Sequence, residues 1–294
     1  MNTDAILRHA VLTWLLFPAI AIPVSLTAHR LGHTDFFPRL LVWFVIIPIF
    51  LAASYLGELP FFVLLTGCCT ASAIELVWLE AASRTLARYA ATLSISLIWI
   101  IWAQIAMRFP WQVIPCVMTA SIWVYYLKSK HTGSWLPPYL ALITGSGMSC
   151  WILLQKDYGF GVVLFAFSVV VITDIMAFVF GKMLGGLRLC PVISPNKTLA
   201  GFIGGGLGAV LAAYIFWFAV PELNFISVTA AGILLGASGS CGDLAASMVK
   251  RHHGIKDFSG MLGPVGGMLD RLDSLIGAGW IFLIFLKSHT LMLM

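Results

Sequence analysis

Apolar residues run along this chain in stretches near 20 residues long, separated by short polar intervals, from its first residues to its last. A stretch of that length crosses the roughly 30 Å hydrocarbon core of a bilayer as an α-helix. Ten membrane spans are predicted: 10–28, 38–56, 60–81, 89–107, 111–127, 137–154, 158–181, 200–220, 225–249 and 274–293. In lipid each backbone N–H and C=O must find its partner within the segment, so these runs should be helices. The period-two alternation of a membrane β-barrel is absent. The span at 60–81 is the weakest, because Glu75 and Glu80 interrupt it. Residues 11–28 imitate a signal peptide but more simply form the first span. The expected fold is an all-α integral membrane protein, a polytopic bundle of about ten transmembrane helices, with nine as the competing count.

Composition agrees. Of 294 residues, 60% are hydrophobic and 10% charged, with a mean hydropathy of +0.97. Soluble domains carry about 25% charged residues, so this chain could not cover a water-facing surface. Lys and Arg then orient the bundle. With ten spans, one side takes Arg30, Arg39, Arg84, Arg88, Lys128, Lys130, Lys182, Arg188, Lys197, Lys250, Arg251, Lys256 and Arg271. The other takes only Arg8, Arg108, Lys156 and Lys287. That bias places the first set in the cytoplasm and both termini outside; a nine-span version leaves the C-terminal loops where they are. The net charge of +5 reflects this topology rather than nucleic-acid binding. The six cysteines show no CxxC pair or metal-ligand spacing, and in apolar runs they act as small hydrophobes.

Charge is concentrated near the C-terminus, where residues 243–273 read DLAASMVKRHHGIKDFSGMLGPVGGMLDRLD. An ordinary solvated loop is the plain alternative, and three details oppose it. Asp243 lies before the expected end of a span, where a carboxylate is costly and usually marks a pathway or a bound cation. Helical spacing puts Asp243, Ser247, Lys250 and Arg251 on one broad face. Asp270 and Asp273 form an i, i+3 pair at the start of the last span. Oxygen-only clusters of this kind suit Mg²⁺, and adjacent Lys and Arg suit phosphate oxygens. A second polar island spans 173–201. Asp174 interrupts the run FSVVVITDIMAFVFG, where helix packing is its plainer role, and SPNKTLAGFIGGG follows. Ser194 and Pro195 read as a turn and helix start, leaving Lys197 free to meet an anion. Gly201, Gly204, Gly205 and Gly208 have the small-xxx-small spacing of close helix packing. No Walker P-loop is present.

These residues resemble the phosphatidate cytidylyltransferases, also called CDP-diacylglycerol synthases. Their signature S-x-x-K-R, K-D, a Gly-rich turn and D-R-x-D is matched by Ser247, Lys250, Arg251, Lys256, Asp257, Gly266, Gly267, Asp270, Arg271 and Asp273. Their S-P-x-K-T-x-x-G segment is matched by Ser194, Pro195, Lys197, Thr198 and Gly201. Asp174 with Gly181, and Gly242 with Asp243, match two further positions. The resemblance covers about the last 120 residues. Two departures stand out: Gly263-Pro264-Val265-Gly266-Gly267 replaces Pro-Gly-His-Gly-Gly, and Leu199-Ala200-Gly201 replaces Trp-Glu-Gly. Any polar role of that His or Glu is lost. The chain accordingly divides into N-terminal membrane helices, 1–135, and a C-terminal membrane catalytic region, 136–294.

The resemblance implies transfer of a cytidylyl group from CTP to phosphatidate, giving CDP-diacylglycerol and pyrophosphate in phospholipid biosynthesis. Ser247, Lys250, Arg251 and Asp270 would be catalytic. Lys197, Thr198, Lys256 and Arg271 would bind substrate. Asp243, Asp270, Asp174 and Asp273 would hold Mg²⁺, or Mn²⁺ in its place. The implied partners are CTP, phosphatidate or a related lipid phosphate, and membrane lipids; a homodimer is compatible with this, and no nucleic acid is involved. The implied setting is a bacterial inner (cytoplasmic) membrane with the active site on its cytoplasmic side. Two rivals stand beside this reading: a CTP-dependent enzyme acting on another lipid phosphate or lipid alcohol, and a non-catalytic lipid-binding or transport relative.

Overall fold

A long apolar run leaves its backbone polar groups no partner but one another, and every run the structure describes is helical. The computed structural model describes residues 3–15, 36–80, 159–263 and 266–292, with isolated helical positions between 139 and 154. After a helical segment at 3–15 come α1 (Phe36–Tyr55), α2 (Glu58–Glu80), α3 (Gly159–Leu184), α4 (Leu199–Ile215), α5 (Phe225–His252) and α6 (Leu269–Met292). Glu58–Leu79, Gly159–Leu184 and Phe225–His252 are long and apolar enough to cross a membrane. The 26 residues of α3 give a rod about 39 Å long. The chain is a helical membrane protein.

The described helices fall close to the predicted spans, with four differences. The first helical segment begins at residue 3 rather than 10. The last helix begins at Leu269 rather than 274, because Glu75 accepts the Met268 and Leu269 N–H groups at its start and carries the helix back into the polar segment. Helix α4 stops at Ile215, where a 3₁₀ turn at Trp217–Ala219 takes over and the Trp217 indole N–H donates to the Leu223 carbonyl at 2.7 Å. Ser194 and Pro195 do not start a helix. They open strand β2 (Ser194–Thr198), which pairs antiparallel with β1 (Arg188–Cys190). Gly185 (φ 59°) and Gly186 (φ 90°) turn the chain out of α3 in a conformation that L side chains resist. Thr198 then caps α4, its hydroxyl accepting the Gly201 N–H at 3.0 Å. The predicted spans at 89–107 and 111–127, and the boundary at 135, lie outside the described residues.

Small residues set the spacing of the C-terminal helices. The glycines of α4 lie against α3, where a Cβ on Gly204 would sit 2.4 Å from Phe180 Cβ and one on Gly208 would sit 2.7 Å from Met176 Cβ. Helices α5 and α6 cross even more closely. A Cβ on Gly242 would lie 2.3 Å from the Asp273 carbonyl oxygen, and one on Gly277 would lie 2.4 Å from the Ser238 carbonyl oxygen. Behind these crossings the core is aromatic and aliphatic, with Phe165, Phe167, Leu164, Phe216 and Phe282 fully buried. Outward, Phe202, Leu207, Leu211 and Ile233 present apolar side chains, as a lipid-facing surface does. The C-terminal ends of α3 and α5, the hairpin, and the N-terminal ends of α4 and α6 all meet at one end of the bundle.

Candidate active site

That end holds a cavity of about 430 Å³, within the range of small-molecule sites. Its wall combines Asp174 and Lys182 from α3, Asn196, Lys197 and Thr198 from β2, and Asp243, Ser247, Lys250 and Arg251 from α5. Lys256 and Asp257 come from the following loop, and Asp270, Arg271, Asp273 and Ser274 from α6. Every site residue predicted from sequence therefore lines one cavity. The close α5–α6 crossing at Gly242 and Gly277 is what brings Asp243 and Asp273 to the same wall.

Two of the carboxylates have lysine partners. Lys197 Nζ lies 2.7 Å from Asp243 Oδ2, and Lys250 Nζ lies 2.7 Å from Asp270 Oδ1. Asp270 is fully engaged, because its Oδ2 also accepts the N–H groups of Phe258 at 2.8 Å and Gly267 at 2.9 Å. Lys250 lies over the Phe258 ring, 5.3 Å from its centroid. Arg251, on the exposed side, donates to the Ile255 carbonyl at 2.6 Å and closes the turn after α5. Asp174 and Asp273 line the same cavity as Asp243. Asp273 Oδ1 accepts the Ser274 N–H at 2.8 Å. The histidine-to-valine departure at Val265 lies outside the described residues.

The donor set suits a hard divalent cation. It is oxygen-only, and its carboxylates repel one another unless a positive charge lies among them. Among the described residues no three His, Cys, Asp or Glu side chains form a ready metal cage. The carboxylates are spread around the wall, an arrangement that fits Mg²⁺ bound through one or two carboxylates together with substrate phosphates.

Sequence reasoning did not name Lys182, Asn196 or Ser274 in the wall, nor a carboxylate behind it. Glu75, on α2, reaches the loop leading into α6. Its Oε1 accepts the Ser259 hydroxyl at 2.6 Å and the Met268 N–H at 2.9 Å, and its Oε2 accepts the Leu269 N–H at 2.9 Å. The signal was present, an acid near the end of an apolar run, but it read only as a defect in the span.

The described residues form a membrane helix bundle with a cavity walled by lysine, arginine and aspartate at one end. The profile of the cytidylyltransferase family matches residues 37–289, and the chain belongs to that family. A phosphatidate cytidylyltransferase of Staphylococcus haemolyticus is 38% identical over 155 residues, 51% of this chain and 59% of that protein. An uncharacterized protein of Escherichia coli, YnbB, is 38% identical over 125 residues, 42% of each chain. A phosphatidate cytidylyltransferase of Staphylococcus epidermidis is 42% identical over 120 residues, 40% of this chain and 46% of that protein. The matched part spans about half the length of these curated relatives.

Proposed function

We propose that the chain transfers the cytidylyl group of CTP to phosphatidate, giving CDP-diacylglycerol and pyrophosphate. The observation that carries this reading is the pair of lysine–aspartate contacts, Lys197–Asp243 and Lys250–Asp270, on one cavity wall at the end of a lipid-facing bundle. Family membership and the names of the relatives support it. A phosphate oxygen of the lipid attacks the α-phosphorus of CTP, and the bond to the β-phosphate oxygen breaks as pyrophosphate leaves. The attacking oxygen is already anionic at neutral pH, so no general base is required. The difficulty is to bring two polyanions together in line, a task for positioning and positive charge.

Lys197, Lys250, Arg251, Lys256 and Arg271 supply that charge around the cavity, with Ser247 and Thr198 offering hydroxyls. Asp243 and Asp270, supported by Asp174 and Asp273, would hold Mg²⁺ or Mn²⁺. Such an ion, when bound, would neutralise the phosphates and the leaving pyrophosphate. We place the cavity on the cytoplasmic side of a bacterial inner membrane, in a bundle of about ten spans.

The altered turn Gly263–Gly267 and Leu199-Ala200 favour a second reading with the same chemistry, in which another lipid phosphate is the acceptor. Purified protein in lipid, given labelled CTP and a panel of lipid acceptors, separates the two. Phosphatidate should yield labelled CDP-lipid, the product should vanish with excess EDTA, and Mg²⁺ should restore it. Asp243→Asn and Asp270→Asn should each lose nearly all turnover, with losses far from additive in the double variant. Robust product in EDTA, or from Asp270→Asn, rules the metal-assisted mechanism out.

A further inference from the structure

Glu75 stands in a helix long enough to cross a membrane, near its C-terminal end, with 6% of its surface exposed. A carboxylate buried there is costly unless its oxygens are fully occupied. Neither ion pair among the described residues includes it. Its three donors instead all come from the far end of the sequence, from the loop between α5 and α6 and from the first residue of α6. The Met268 and Leu269 N–H groups are among those that a helix leaves unsatisfied at its start, and the helix dipole favours an anion at that point.

The loop is shaped around this carboxylate. A Cβ on Gly267 would lie 2.5 Å from both Glu75 oxygens, so a side chain at that position would collide with them. Gly266 takes φ 91°, which turns the chain so that the Gly267 N–H reaches Asp270. The loop is thus held from two sides: Glu75 takes Ser259 and Met268, and Asp270 takes Phe258 and Gly267. Asp270 also holds Lys250, so the loop and the deeper ion pair share one anchor. Glu75 does not line the cavity.

We propose that Glu75 is a positioning residue, a carboxylate from the N-terminal half that locks the α5–α6 loop so that Lys250 and Asp270 face the cavity in working order. The role rests on the reading of the cavity as a cytidylyl-transfer site. Glu75→Gln tests it: glutamine keeps the shape and one acceptor oxygen but sets an NH₂ group where the second oxygen received an N–H. Full-length protein in lipid is followed by amide hydrogen exchange and by CTP-dependent product formation. Exchange at residues 255–263 and Met268 should quicken at least tenfold, while α3, the internal reference, stays unchanged. In the same preparation kcat should fall at least tenfold. Ser259→Ala, which removes one of the two donors to Oε1, should produce a smaller change of the same kind.

Unchanged loop exchange in Glu75→Gln overturns the proposal. Faster loop exchange with unchanged kcat also overturns it, leaving Glu75 as a helix cap without influence on the chemistry. If Glu75→Gln does not fold, Ser259→Ala decides on the same two readouts. If the wild-type protein forms no CDP-lipid from any acceptor, the transferase reading fails, and the positioning role in that reaction falls with it; the exchange measurement then still decides whether Glu75 locks the loop.

Discussion

The two lysine–aspartate pairs share a length of 2.7 Å but not a setting. The side chains of Lys250 and Asp270 are 10% and 3% exposed, whereas those of Lys197 and Asp243 are 24% and 34% exposed. Removing one partner of a buried pair leaves the other charged, desolvated and uncompensated, at a cost of about 3–5 kcal/mol. An exposed pair contributes only about 0–1 kcal/mol. Lys250→Met should therefore lower both thermal stability and turnover, and adding Asp270→Asn should recover part of the stability but none of the turnover. Lys197→Met should leave the melting temperature nearly unchanged yet reduce turnover at least about tenfold, since a charge-assisted phosphate contact is worth roughly 1.5–3 kcal/mol. Melting curves in detergent beside initial rates separate the two lysines. A Lys197→Met protein with wild-type kinetics would return that residue to a purely electrostatic partner of Asp243. The acidic and basic members of the site were legible as motif residues, but their pairing was not. Lys197 meets Asp243 across 46 positions of sequence, because β2 folds back over the end of α5.

At the scale of elements, glycine spacing on α4 was a readable sign of close helix contact, and the approach of Gly204 and Gly208 to α3 bears it out. Gly204 and Gly206 provide an internal comparison. A Cβ on Gly204 would strike Phe180 at 2.4 Å, whereas one on Gly206 would meet nothing within 4 Å. Gly204→Val should force α3 and α4 apart and lower the melting temperature, with overpacking costs of about 1–3 kcal/mol or more. Gly206→Ala should be neutral or slightly stabilising, because alanine is the better helix former. Thermal unfolding in detergent checks both, and equal effects would contradict the packing described here. The hairpin was not legible for a physical reason. A strand of five residues carries too little alternation to announce itself, and Pro195 reads as a turn unless its neighbour strand is known. The stronger signal was Thr198, an N-cap residue before an apolar run; taken as the boundary, it would have placed the start of α4 at Leu199.

At the scale of the whole molecule, charge and geometry agree on which loops lie together. Lys182, Lys197, Lys250, Arg251, Lys256 and Arg271 come from separate parts of the sequence, yet they line one cavity at one end of the bundle. Glu75 adds the C-terminal end of α2 to the same side, in keeping with the Arg84 and Arg88 that follow it in sequence. The segment 220–224, between Ala219 and α5, joins the opposite ends of α4 and α5 and carries no Lys or Arg. The positive-inside rule predicts that the cavity faces the cytoplasm, the side on which the proposed CTP transfer needs it, and that segment 220–224 lies outside. Single cysteines in a background lacking the six native ones make this measurable. Val192→Cys at the exposed hairpin tip and Met261→Cys in the exposed α5–α6 loop should resist a charged, membrane-impermeant maleimide added to intact cells. Both should react once the membrane is opened, while the exposed Glu222→Cys should react in intact cells. External labelling at position 192 or 261 would invert the bundle. It would place the cavity away from the nucleotide pool, so CTP transfer could not be the activity even with every side-chain distance unchanged.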